Sequence, residues 1–390
     1  MKTIAATRNF WLLVAVGGLV TAVGLGAAHQ MELHGHVITG MDNSIVWGLP
    51  HVFAIFMIVA ASGVLNVASI GSVFGQPAYK PRAPLSGLLC LALLAGGLMV
   101  LMLDLGRPER VIVAATHYNL KSVFAWNVLL YSGMAAVVVV YLWTMFERRY
   151  KAWSRPAGMA VLLWRFVLTT GTGLIFGFLV ARQAYQSALL APLFIVMSFA
   201  WGLAVFLVVQ AAMYRWNDRR LPPELQHRLA RLLGIFIAAS LYLVAVYHLT
   251  NLYFERQAGF EAFILRDGGV FPLLFWGGYV LLGSVLPMAL LLHPRPPGEA
   301  AVLAAALLVV AGAFAWLFVF IVGGQAYPLD IFPGHVASSA FGDGQVATYR
   351  PTAPEWLLGL GGLGAAFLLT TIGVRVLDFM PQDDLPTARP

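Results

Sequence analysis

The stretch PLSGLLCLALLAGGLMVLMLDLGRPER, residues 84–110, is apolar and uncharged up to Leu103 and then breaks into Asp104, Gly106, Arg107, Pro108, Glu109 and Arg110. A helix needs about 20 residues to cross a hydrocarbon layer, so residues 84–104 read as a membrane span with an acid on its last turn. An ionisable group there is costly unless it is paired or wetted, which makes Asp104 and Arg107 candidate functional residues. Gly106 and Pro108 are expected to stop the helix. A solvated ion pair at a helix end explains these residues equally well on their own. The placement of the other ionisable residues weighs between the two readings.

The whole chain repeats this pattern. Of its 390 residues 60% are hydrophobic and 11% charged, where a soluble domain carries about a quarter charged residues. A soluble globule is excluded. Ten apolar stretches are long enough to span, at about 10–28, 48–74, 84–104, 122–145, 159–183, 188–213, 230–254, 270–292, 299–324 and 355–377. The expected fold is an all-α integral membrane protein with ten transmembrane helices in one polytopic domain, 1–390, built as two four-helix bundles plus two flanking helices. Lys2 and Arg8 before an apolar run ending in Gly26-Ala27-Ala28 resemble a signal peptide, but the run is read as a retained span. Glycines such as Gly63, Gly96-Gly97, Gly171, Gly277-Gly278 and Gly359 to Gly364 read as close helix packing.

The net charge of +7 reports orientation rather than a nucleic-acid partner, since no basic run is interleaved with aromatics. Arg148-Arg149, Lys151, Arg155 and Arg219-Arg220 gather in loops on one side, and two of these loops suit anionic membrane lipid. Both termini are therefore expected in the cytoplasm, in a bacterial inner (cytoplasmic) membrane. Cys90 is the single cysteine, so no disulfide framework and no iron–sulfur cluster is expected in this protein itself. The outer loops, 29–47, 105–121, 255–269 and 325–354, are long and read as covers for a site or docking surfaces.

Placed by depth, the polar residues converge near the outer surface. His29 ends the first span, His51 begins the second, Asp104 and Arg107 end the third, Lys121 and Ser122 begin the fourth, Arg182 and Gln183 end the fifth, and His248 lies in the outer part of the seventh. Arg165 alone is charged deeper, with a side chain expected to snorkel to the cytoplasmic interface. One reading is a quinone pocket. It has His51 and Asp104 handling protons, Arg182 and Arg107 fixing Asp104, and Ser122, Trp126 and Tyr131 supplying a wall, although Tyr131 suits plain packing better. A second is a haem-b anchor with His51 and His248 as axial ligands. A secondary transporter fits less well, because its polar residues belong near the midplane. His29, His34 and His36 on a loop allow a metal site, with a solvated loop the simpler account. Thr169, Thr170 and Thr172 form a polar line in the fifth span, though threonines there usually bond their own backbone.

Trp47-Gly48-Leu49 opening a span, the Asp104-Leu105-Gly106-Arg107-Pro108 span end, Ser122-Val123-Phe124-Ala125-Trp126, and Thr172-Gly173 followed by Phe176-Gly177, Ala181-Arg182 and Pro192 resemble the NrfD/polysulfide reductase (PsrC) membrane-subunit family. The likeness covers about 47–200, and the hydropathy of the remainder fits the family's ten-span branch, with DsrP-like and HybB-like subunits, the DsrP-like ones in particular. The resemblance implies a haem-free subunit that reacts with quinone, menaquinone or ubiquinone, in a respiratory or sulfur-metabolism complex. It implies a periplasmic ferredoxin-like iron–sulfur subunit as partner, and further cytochrome or catalytic subunits beyond it. It places the family's acid, glycine and arginine on Asp104, Gly106 and Arg107 and its span-five arginine on Arg182, with His51 matched by depth. The trio His29, His34 and His36 departs from the family pattern.

Overall fold

The computed structural model describes residues 8–217, 219, 221–329, 344–377 and 379. Ten helices have the length and apolarity of membrane spans: α1 (Arg8–His34), α2 (Leu49–Ser72), α3 (Pro77–Leu103), α4 (Val123–Phe146), α5 (Arg148–Gly177), α6 (Leu190–Trp216), α7 (Pro223–Tyr253), α8 (Val270–Leu291), α9 (Glu299–Ala326) and α10 (Ala353–Val376). No strand occurs among the described residues. Helices are the expected answer in lipid, because an open strand edge would leave backbone groups without partners. Proline stands in the first turn of α2, α7 and α10, where its missing N–H costs nothing.

All ten expected spans correspond to these helices, with two shifts at helix ends. α1 continues to His34, so His29 and His34 lie on a helix rather than on a loop. α5 stops at Gly177, so Arg182 and Gln183 belong to the connection that follows. Of the expected 325–354 loop, residues 330–343 lie outside the described residues.

α2 is the axis of the molecule, with 94% of its apolar window buried. It packs on α3, α6, α9 and α10, while α4 packs on α3 and α5, and α6 on α5, α7 and α9. α7 and α9 flank α8, and α1 lies against α10. Lipid tails are as apolar as leucine, so these contacts depend on close packing. Gly63 of α2 meets the backbone of Ser198 and Gly202 on α6, and Gly24 of α1 meets Gly361 of α10; a Cβ at any of these glycines would overlap backbone.

Two helices contain widened turns. α8 is π-helical over Leu274–Val285 and α9 over Val319–Gly323. In α9 the disturbed ladder frees carbonyls, and the buried Tyr185 hydroxyl lies 3.0 Å from the Ile321 oxygen, with the Gln325 amide donating to the same oxygen at 2.8 Å.

Arg165 does not snorkel. It is buried, donates to the Asn66 side chain at 2.9 Å and to the Ser62 carbonyl at 3.3 Å, and lies between the rings of Phe166 and Phe199. Thr169 and Thr172 bond the carbonyls of Arg165 and Leu168 in their own helix, and Ser62 bridges to Thr169 at 2.8 Å.

Candidate functional site

Asp104 caps the C-terminus of α3, and the backbone leaves the helix through Gly106 at φ 69°. That left-handed turn suits glycine. A Cβ there would also press on the ring of His36, which stands 3.1 Å from the Cβ position. His36 opens a single tight turn, His36–Ile38, after α1. Its Nε2 lies 3.0 Å from the Asp104 carbonyl oxygen and 3.6 Å from Oδ1. From the other side His51, in the first turn of α2, brings Nδ1 to 2.8 Å from Oδ2. This second approach has ion-pair distance but an oblique angle, so His51 Nδ1 and both carboxylate oxygens remain without a well-aligned hydrogen bond. The result is a buried acid between two imidazoles.

The charges explain each other. The Asp104 carboxylate, as acceptor beside it, raises the His36 imidazole above its ordinary value, against the opposing effect of burial. Burial alone would push the Asp104 carboxyl up, but His36 and His51 together outweigh it and hold the acid below the ordinary carboxylate value.

The two imidazoles face different surroundings. Trp47 stacks on His51 with centroids 5.9 Å apart and in turn meets Phe176 at 5.6 Å and Phe124 at 6.3 Å, an aromatic wall. His36 faces a cavity of about 100 Å³ lined by Leu25, Ala28, His29 and Glu32 of α1 together with Gly106. One side is apolar and aromatic, and the other is a small cavity of mixed lining that includes the exposed residues His29 and Glu32.

The segment ahead of α2 is held by distant elements. Gln325 accepts from the backbone N–H groups of Val46 and Trp47, both at 3.0 Å, and donates to the Trp47 carbonyl at 2.9 Å. Arg182 donates to the Gln325 carbonyl at 2.6 Å and to the Ser44 carbonyl at 2.7 Å. Glu355 on α10 is fully buried, receives the backbone N–H groups of Gly40 and Thr352 at 2.9 and 2.7 Å, and takes the Tyr349 hydroxyl at 2.5 Å. Tyr349 accepts from the Leu49 N–H at 2.6 Å. His51 is thus aimed by a clamp that reaches across most of the sequence.

Of the residues chosen from sequence, the structure brings Asp104 and His51 together. It does not bring the arginines to Asp104. Arg182 is spent on two backbone carbonyls, and Arg107 is exposed, with no ion pair to Asp104 among the described residues. The imidazoles take the place assigned to the guanidinium groups, because the turn after α1 folds back over the end of α3. Ser122 is the partly buried residue before α4, and Trp126 is exposed, with its indole N–H donating to the Leu120 carbonyl at 2.7 Å. Tyr131 is buried in α4 beside Thr172. His248 has its own partner, with Nδ1 at 2.6 Å from Oε2 of Glu261, so it and His51 sit in separate carboxylate pairs.

Sequence reasoning missed His36, Gln325, Tyr349 and Glu355 as members of this outer assembly. Thr352-Ala353-Pro354-Glu355 carried a readable helix-start signature. Gln325 carried only the oddity of an amide at the end of an apolar run. Among the described residues no group of three or more His, Cys, Asp or Glu side chains is arranged to hold a metal, the histidines 29, 34 and 36 included.

Comparison with known proteins adds the following. The profile of the family described as Polysulphide reductase, NrfD matches residues 37–328. The Hdr-like menaquinol oxidoreductase integral membrane subunit of Archaeoglobus fulgidus is 29% identical over 381 residues, covering 96% of this chain and 94% of its own length. A putative dimethyl sulfoxide reductase membrane subunit of Halobacterium salinarum is 29% identical, covering 94% of this chain and 90% of itself. Protein NrfD of Escherichia coli is 26% identical, covering 73% of this chain and 96% of itself.

Proposed function

The chain belongs to the polysulphide reductase NrfD family, and from that premise we propose that it is the quinone-reactive membrane subunit of a respiratory or sulfur-metabolism electron-transfer complex. It exchanges electrons between membrane quinone or quinol and an iron–sulfur subunit docked on the outer face, with cytochrome or catalytic subunits beyond. The observation that carries this reading is the buried Asp104 flanked by His36 and His51.

The residues fit such a ring. An imidazole whose Nδ1 is turned to a carboxylate keeps Nε2 for a ligand, and the carboxylate steadies the ring when it becomes charged. The aromatic wall of Trp47 and Phe124 offers an apolar face beside it. When bound, the quinone supplies a couple of two electrons and two protons. His51 takes each proton from a ring hydroxyl in the oxidising direction and returns it in the reducing one. Asp104 holds the charged imidazole and links it to His36, which exchanges the proton with the cavity of His29 and Glu32. A cluster in the docked partner would supply or take up the two electrons. Protons then move on the outer side alone. Menaquinone and ubiquinone both meet these requirements.

The orientation with both termini in the cytoplasm belongs to the same reading, as does a place in the cytoplasmic membrane of a bacterium. The connection between α3 and α4 carries the exposed apolar side chains Leu105, Ile112, Val113 and Leu120, which fit a docked partner near Asp104.

The decisive experiment is Asp104→Asn in the assembled complex. Asparagine keeps the shape but accepts no proton, so quinol turnover is expected to fall by about 10²-fold or more, with the protein still inserted and the complex intact. Wild-type turnover in that variant overturns the proposal.

A further inference from the structure

The arrangement at His51 has a counterpart at the end of α7. His248 stands near the outer end of α7, and its Nδ1 lies 2.6 Å from Oε2 of Glu261, in the connection to α8. The side chain of Glu261 is 0% exposed and that of His248 12%, against 1% for Asp104 and 13% for His51. Asn251 donates to the second Glu261 oxygen at 2.8 Å, so this carboxylate is more tightly held than Asp104. Aromatic rings flank the imidazole here too, Phe275 at 4.8 Å and Tyr247 at 5.0 Å.

The chemistry narrows the ligand. A carboxylate on Nδ1 fixes the proton of a neutral imidazole on that nitrogen, which leaves the Nε2 lone pair as an acceptor. Nε2 has no partner among the described residues. A ligand for it must bring a hydrogen-bond donor such as a hydroxyl, and the surface beside it is apolar. Leu249, Leu252, Leu273 and Trp276, on the neighbouring ends of α7 and α8, are all exposed. An isoprenoid quinol has both the hydroxyl and the lipid solubility.

We propose that the outer end of α7 and α8 is a second quinol-binding site, in which His248, oriented by Glu261 and Asn251, accepts a hydrogen bond from a ring hydroxyl. For the class of its ligand the proposal rests on the quinone reading of the Asp104 site. For its position it rests on the His248 pair alone. No electron transfer is assigned to it.

The test uses the whole complex, freed of endogenous quinone, with a photoreactive azidoquinol as probe and the labelled peptides mapped by mass spectrometry. Label is expected in two regions, one around residues 36–51 and 104–126 and one around 248–276. His248→Gln keeps a donor for Glu261 but removes the outward imidazole nitrogen. It is expected to abolish label in the second region and to halve the bound quinol, with the melting temperature and the first region unchanged. A double variant, His248→Leu with Glu261→Gln, repeats the test without a lone buried acid. Label confined to the first region overturns the second site and leaves the Asp104 reading standing. Label confined to the second region does the reverse. Second-region label that persists in both variants also overturns the proposal, and label in neither region removes both readings.

Discussion

Asp104 keeps its place at the end of an apolar helix because two imidazoles compensate it, and that arrangement has a pH signature. The folded value of His36 is raised above 6.5, so its contribution to stability is complete below the unfolded value and is lost as pH rises through the raised one. The folded value of Asp104 is lowered below 3.8, so its contribution is complete above that and is lost as pH falls through the lowered one. The pair therefore stabilises the outer end most between the two ordinary values. Thermal unfolding of wild type and His36→Gln, compared across pH, is expected to differ most between the two ordinary values and to converge as pH rises through the raised His36 value. A gap that stays constant with pH would assign His36 a packing role only. The same variant is expected to slow quinol turnover, because the cavity then loses its link to Asp104.

Among the elements, the entry to α2 is the one on which the site depends. Gln325 satisfies two backbone N–H groups there, and Arg182 ties the same segment to the end of α9. Gln325→Leu strands both donors in a partly buried place, at a cost of about 1–3 kcal/mol for each. Because Trp47 and His51 move while Asp104 stays, the Michaelis constant for quinol is expected to rise more than the turnover number falls. Equal losses in both would mean that the clamp supports folding and does not aim the histidine. The crossing of α2 and α6 makes a separate prediction. Gly63→Ala forces a methyl into the Ser198 and Gly202 backbone, and overpacking of this kind costs about 1–3 kcal/mol. A melting temperature equal to wild type would show that the two helices can move apart freely. Glycine frequency in the spans pointed to such close approaches, whereas nothing near Gln325 in the sequence pointed to the segment it holds.

At the scale of the whole molecule, the sidedness of the membrane ties the parts together. Cys90 is buried and gives a silent background for introduced cysteines. Ile112→Cys is expected to react with an impermeant thiol reagent added outside sealed cells, and Arg149→Cys only after the membrane is opened. The opposite pattern would invert the topology and move the His36 cavity to the cytoplasmic side. Crosslinks from an iron–sulfur subunit are expected to fall on 105–121. Crosslinks confined to 148–155 and 214–229 would remove the docking surface from the outer face.

Hydropathy is a property of short windows, and lipid imposes one demand everywhere, that the backbone bond within its own segment. The sequence by itself therefore determined the ten helices, their approximate ends, the stop at Gly106 and, from motifs over about 47–200, the family whose profile matches 37–328. It also singled out Asp104 and His51, because an acid and a histidine at span ends stand out from their surroundings. The partners of Asp104 were decided only by tertiary structure. His36 is 68 positions away from it, beyond two full spans and the connections before each, and Gln325 is 278 positions from Trp47. Depth in the membrane orders residues along one axis only. Which of them meet within a layer depends on how helices pack side by side, and that is set by small-residue crossings and returning loops whose effects no local window contains.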